Sequence, residues 1–123
     1  MNIHKVSIKE KLAQFDDHWN PRIVGALNGQ HIKLVKAQGV FDWHSHEQED
    51  EMFLVVKGNF EMHLRDRVIP ISEGEFIIIP KGIEHKPVAQ EEVHIMLFEP
   101  MSTVNTGNNS GSEFTQKRVD WLR

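Results

Sequence analysis

Between Arg22 and Phe98 the chain is cut into short apolar runs by turn residues at close, regular intervals, and that punctuation favours β-structure. Asn28-Gly29 separates the runs 23–27 and 31–37. Both central positions of a two-residue hairpin need positive φ, which this pair supplies at low steric cost. Gly58-Asn59, Asp66, Ser72-Glu73-Gly74 and Lys81-Gly82 separate further runs, predicting strands at about 40–46, 51–57, 60–65, 67–71, 75–79, 85–89 and 93–98. Strands this short and evenly spaced predict an all-β sandwich or barrel.

The ends of the chain read differently. Ser7 and Glu10 form a capping box, and Ile8, Leu12 and Phe15 follow at helical spacing, predicting a short helix over about 7–16 that Asn20-Pro21 terminates. After Glu99-Pro100 the alternation stops. The stretch 105–112, rich in Gly, Asn, Ser and Thr, reads as a flexible connector. Beyond it, Val119, Trp121 and Leu122 offer an apolar group that docks on the domain or on a partner. The expected organisation is an N-terminal helical extension (1–21), a β-barrel (22–100) and a C-terminal extension (101–123).

Composition narrows the chemistry. A chain of 123 residues is enough for one domain with a sizeable core. The absence of cysteine excludes disulfides, thiolate metal sites and a cysteine nucleophile. With a net charge of −4 and dispersed basic residues, no positive face for nucleic acid is visible. The N-terminus lacks the apolar stretch of a secretory signal, and no apolar run reaches membrane-spanning length. The expectation is a cytoplasmic protein that engages neither nucleic acid nor membrane.

Four side chains stand out as a set: His44, His46, Glu51 and His85. Residues two apart on an extended strand point to one face, so His44 and His46 can converge on a single ion. Thirty-nine positions separate His46 from His85, and only a fold that joins distant strands completes the group. Such nitrogen and oxygen donors hold divalent transition metals: iron, manganese, nickel, cobalt, copper or zinc. Three imidazoles and one carboxylate leave an octahedral ion with about two open positions for water, dioxygen or a chelating substrate.

Parity extends the reading. If Glu51 faces inward, Phe53 and Val55 share its face, and Phe53 becomes a candidate pocket wall. Met52, Leu54 and Val56 then face outward and need a cover: the N-terminal helix, another sheet or a second subunit; a homodimer is the expectation. On 93–98, Val93, Ile95 and Leu97 share one face and His94, Met96 and Phe98 the other. Either face could line the pocket, which makes His94 a second candidate pocket residue. Trp43, Phe41, Phe53, Phe76 and Met96 read mostly as core.

These residues also spell out a resemblance. The segment from Gly39 through His44, His46 and Glu51 to Gly58 resembles the first motif of the cupin superfamily, and Gly74 through Pro80 and Gly82 to His85 resembles the second. Only four residues lie between Gly39 and His44 where the family usually has five, and Ala89 stands where the second motif usually ends in Asn. The likeness covers about 39–89 and is closest to small single-domain cupins. It implies a double-stranded β-helix, the jelly-roll barrel, with His44, His46, Glu51 and His85 at the metal-ligand positions. Among the activities it implies are dioxygenases, sugar-phosphate isomerases and epimerases, and decarboxylases. The resulting expectation is a metal-dependent enzyme acting on a small organic molecule, with oxygenase-type chemistry favoured and Glu51 as the catalytic candidate. Its alternatives are a non-catalytic metal-dependent binding or sensor module, and a sugar isomerase, which the absence of a visible inward Arg cluster disfavours.

Overall fold

The computed structural model describes residues 3–116 and 118–122. One short helix, α1 (Ile8–Leu12), precedes seven strands: β1 (Arg22–Leu27), β2 (Gln30–Val40), β3 (Glu51–Lys57), β4 (Asn59–Leu64), β5 (Val68–Ser72), β6 (Phe76–Ile79) and β7 (His85–Pro100). All strand pairs are antiparallel. The order β1-β2-β7-β3-β6 forms one layer, and the β4–β5 hairpin joins through the first residues of β7. The result is a jelly-roll barrel carrying a short N-terminal helix.

β7 organises this barrel. Its start, His85 to Val88, pairs with β4, while its far half pairs with β3, from Lys57↔His94 to Met52↔Phe98. β2 runs along both halves, with a register shift between Ala37 and Gly39. Two separate strands were expected here. Gln90, Glu91 and Glu92 are exposed and break the apolar alternation, but the backbone stays extended through them, so one strand crosses from one layer to the other.

The hairpin at Asn28-Gly29 has φ values of 50° and 77°, which is the conformation its sequence predicts. In contrast, the expected strand 40–46 does not extend beyond Val40, where β2 ends. His44 makes only an isolated bridge to His85, and the backbone groups of Ser45 bond Asn108 instead of a neighbouring strand. The helix is also shorter than expected. Ser7 caps it by accepting the Glu10 N–H, but Phe15 has left the helix, with its carbonyl accepting from Lys36 Nζ at 2.6 Å. So short a helix depends on tertiary packing, and here the packing takes Phe15.

Two apolar clusters result. Inside the barrel lie Phe53, Val55, Phe60, Met62, Val93 and Ile95, with others. Outside it, Leu12 and Phe15 cover Val24 and Leu34, with Ile8, Val56 and Met96 packed against them. The helix therefore covers Val56, one end of the outward face of β3. At the other end Met52 and Leu54 are half-buried beside Ile78 and Phe76 of β6, which are exposed. Phe76 was expected in the core; its parity on β6 turns it outward. Trp121, read as part of a docking group, bridges Ile23 in parallel, so the C-terminus packs back on the domain.

Leu34 is fully buried beneath the helix. Leu34→Ala should cost about 2–5 kcal/mol in urea denaturation, as for a truncated core leucine. A loss below about 0.5 kcal/mol would show that the helix does not cover this face.

Candidate metal centre

The barrel brings all four predicted donors to one place. His44, His46, Glu51 and His85 are buried, and each offers a ligand atom within 4.8 Å of the others. Glu51 opens β3 and His85 opens β7. His44 is fixed to His85 by two backbone hydrogen bonds of 3.1 and 2.9 Å, and the Gly82 N–H donates to the His46 carbonyl at 2.7 Å. Segments far apart in the sequence are thus tied together through the backbone, before any side chain takes part.

The rings are oriented as ligands. His44 Nδ1 donates to the Asp42 carbonyl and His85 Nδ1 to the Ile83 carbonyl, each at 2.9 Å. That fixes the tautomer and leaves each Nε2 with a free lone pair. Glu51 Oε1 lies 3.1 Å from His46 Nε2 and 3.5 Å from His85 Nε2. His46 Nδ1 and Nε2, Glu51 Oε1 and His85 Nε2 are buried without a hydrogen-bond partner. An orphaned buried polar atom costs about 1–3 kcal/mol, and here such atoms converge. A cation satisfies them together, so the donor set fits a divalent transition metal.

Two charged residues absent from the predicted site complete it. Lys33 and Glu99 are buried in the barrel, with Lys33 Nζ donating to Glu99 Oε1 at 2.9 Å. Since Met52 pairs with Phe98, Glu99 is the neighbour of Glu51 across the strand pair. Burial raises Glu99 well above the usual carboxylate range, and the adjacent Glu51 charge adds to this while Lys33 opposes it. Burial would raise Glu51 too, but the side chains of Glu99, His46 and His85 beside it outweigh this and hold Glu51 well below the ordinary value. Glu99 keeps the proton and Glu51 the charge. The sequence carried a signal for both: Lys33 shares parity with Val35 and Ala37, and Glu99 with Ile95 and Leu97.

A cavity of about 40 Å³ adjoins the donors. Phe41, Phe53, Ile95 and Leu97 supply apolar wall, and His44 and Glu51 supply its edge toward the donors. Phe53 therefore lines it, its ring edge-on to His85 at 6.0 Å. His94 does not. Val93 and Ile95 take the inward parity, so His94 points outward, where it bonds Glu92 at 3.0 Å. Lys57, at the end of β3, is exposed.

Comparison with known proteins agrees with this architecture. A family described as "Cupin domain" matches residues 31–99. A cupin-2 domain containing protein from Shewanella frigidimarina NCIMB 400 is similar at 43% identity, covering 77% of this chain and 93% of that one, with a TM-score of 0.76. Protein NMB1881 from Neisseria meningitidis is 28% identical, covering 79% and 99%, with a TM-score of 0.73. The uncharacterized protein YdbB of Bacillus subtilis (strain 168) is 29% identical over 80 residues; the match spans 64% of this chain and only 65% of that relative's length. Among the described residues, no helix is long and apolar enough to cross a membrane.

Burial, reinforced by the nearby His85, lowers His44 from 6.5 to about 4. Between these values the unfolded chain binds a proton that the native site refuses, so stability falls as pH falls. Glu99 contributes with the opposite sign, its raised value favouring the native state at low pH. Comparing metal-free wild type with His44→Gln isolates the histidine. From about pH 6.5 down to about 4, wild type should lose on the order of 3 kcal/mol relative to the variant, read by urea denaturation at each pH. Parallel pH profiles would contradict this.

Proposed function

This chain belongs to the cupin domain family, and we propose that it is a metal-dependent enzyme acting on a small organic molecule, with oxygenase-type chemistry as the favoured class. The supporting observation is that the buried His44, His46, Glu51 and His85 set adjoins an apolar cavity. A closed structural site has no use for such a neighbour. When bound, iron, manganese, nickel, cobalt, copper or zinc would supply Lewis acidity and, for the redox-active members, electron exchange.

The remaining work falls to the chain's own residues. His44 and His85 present Nε2 in a fixed tautomer. Phe41, Phe53 and Leu97 exclude water and receive the apolar part of the substrate. Glu51 is the catalytic residue of this reading: a carboxylate at the cavity wall that, on leaving the ion, would accept a proton from a substrate group beside it. A phosphorylated sugar fits poorly, because the inward cation Lys33 is committed to Glu99. A second copy of the chain is the partner of this reading, seated on the exposed Phe76 and Ile78.

One observation favours the alternative, a non-catalytic metal-dependent binding module. Among the described residues lining the cavity, Glu51 is the only carboxylate, and Glu99 is held by Lys33. Metal analysis after growth in defined medium, followed by oxygen-uptake and isomerase screens on iron-loaded and manganese-loaded protein, separates the readings. Wild type should retain about one metal per chain, and Glu51→Gln should weaken retention at least about tenfold and abolish turnover. Unchanged retention in Glu51→Gln would remove Glu51 from the ligand set. Full retention and small-molecule binding without turnover would favour the binding module.

A further inference from the structure

The stretch 101–116, expected as a loose connector, packs against the domain. Thr103 and Thr106 are buried, and the segment is braced internally. Asn105 Nδ2 donates to the Phe114 carbonyl at 2.8 Å, and its Oδ1 accepts the Gln116 N–H at 2.9 Å. The hydroxyls of Thr106 and Thr115 lie 2.6 Å apart.

The segment is fastened to the part of the chain that carries two of the four donors. Asn108 donates its N–H to the Ser45 carbonyl, and its Oδ1 accepts the Ser45 N–H, both at 2.9 Å. Ser112 Oγ donates to the Asp42 carboxylate. Phe114 stacks on Phe41 with centroids 5.1 Å apart and reaches Trp19 at 6.0 Å. At Gly107 (φ +53°), a Cβ would stand 2.1 Å from the Ser45 carbonyl oxygen and 3.2 Å from His46 Nδ1. Only glycine permits that approach. Asn105, Trp19 and Phe41 meanwhile line the cavity beside the donors.

We infer that residues 101–116 form a strap across the barrel mouth that sets the size of the guest reaching the metal. The inference rests on the metal-centre reading above and adds a specificity element to it. With the strap seated, the cavity of about 40 Å³ is far smaller than the roughly 150 Å³ that accommodates a benzene ring. A guest larger than this cavity meets the strap at Asn105. The strap's fastenings are a few hydrogen bonds and one aromatic stack, so it opens far more readily than the barrel unfolds. The cupin match ends at residue 99, so the strap is an addition to the matched domain.

The test uses cobalt(II)-loaded full-length protein titrated calorimetrically with acetohydroxamate and benzohydroxamate, which share a chelating group and differ in bulk. Wild type should bind the larger probe at least about tenfold more weakly, reflecting the loss of one or two hydrogen bonds on opening. Asn108→Ala and Phe114→Ala, each of which removes one fastening of the strap, should narrow that gap without changing cobalt content. Equal binding of both probes by wild type, or an unchanged ratio in both variants, would overturn the strap as a size gate. If wild type retains no cobalt, the metal reading fails by itself, and hydrogen exchange of the metal-free protein decides the strap. Slow exchange at the Asn108 amide in wild type that becomes fast in Phe114→Ala supports it, and fast exchange in wild type overturns it.

Discussion

A carboxylate held inside an apolar barrel is the constraint on which the rest of this structure turns. Glu51 is 3% exposed, and its neighbours are three imidazoles, two of them fixed by carbonyl contacts at Nδ1, and a second carboxyl. An isolated buried anion is not tolerated without a partner. The fold meets this in two ways. Glu99 and Lys33 hold one side of the carboxylate, and the other side shares with three histidines a space that suits a cation.

Strand β7 makes both arrangements at once. It carries His85 at one end and Glu99 near the other, and crosses between layers so that each reaches Glu51 from a different direction. The Lys33–Glu99 pair does more than neutralise charge. Glu99, held by Lys33, stands beside Glu51 and bears on that carboxylate, while the carbonyls of Asp42 and Ile83 fix the rings of His44 and His85. The donor set is therefore shaped by its supports before any ligand arrives.

Much of this was legible in the sequence, because the signals were local. The Asn28-Gly29 hairpin follows from the φ demands of two residues, and the inward face of 51–57 follows from strict alternation. The convergence of four donors followed from two motif spacings. What escaped reading depended on partners remote along the chain. The strand expected at 40–46 fails because Ser45 bonds Asn108, and nothing near Ser45 announces that. The connector expected at 105–112 is seated for the same reason. Phe76 was misplaced and His94 left undecided because their strands are apolar on both faces, leaving periodicity no way to choose the inner one. Lys33 and Glu99 were overlooked although their parity was visible, since a charged residue on a buried face reads as an interruption until its counter-charge is found across the barrel.

The most direct test of the central claim is X-ray absorption spectroscopy at the metal edge of protein loaded with manganese. The account predicts first-shell nitrogen and oxygen scatterers at about 2.0–2.3 Å with outer-shell scattering from about three imidazoles. Two or fewer imidazoles, or a shell of oxygen atoms alone, would contradict it by placing the metal away from His44, His46 and His85.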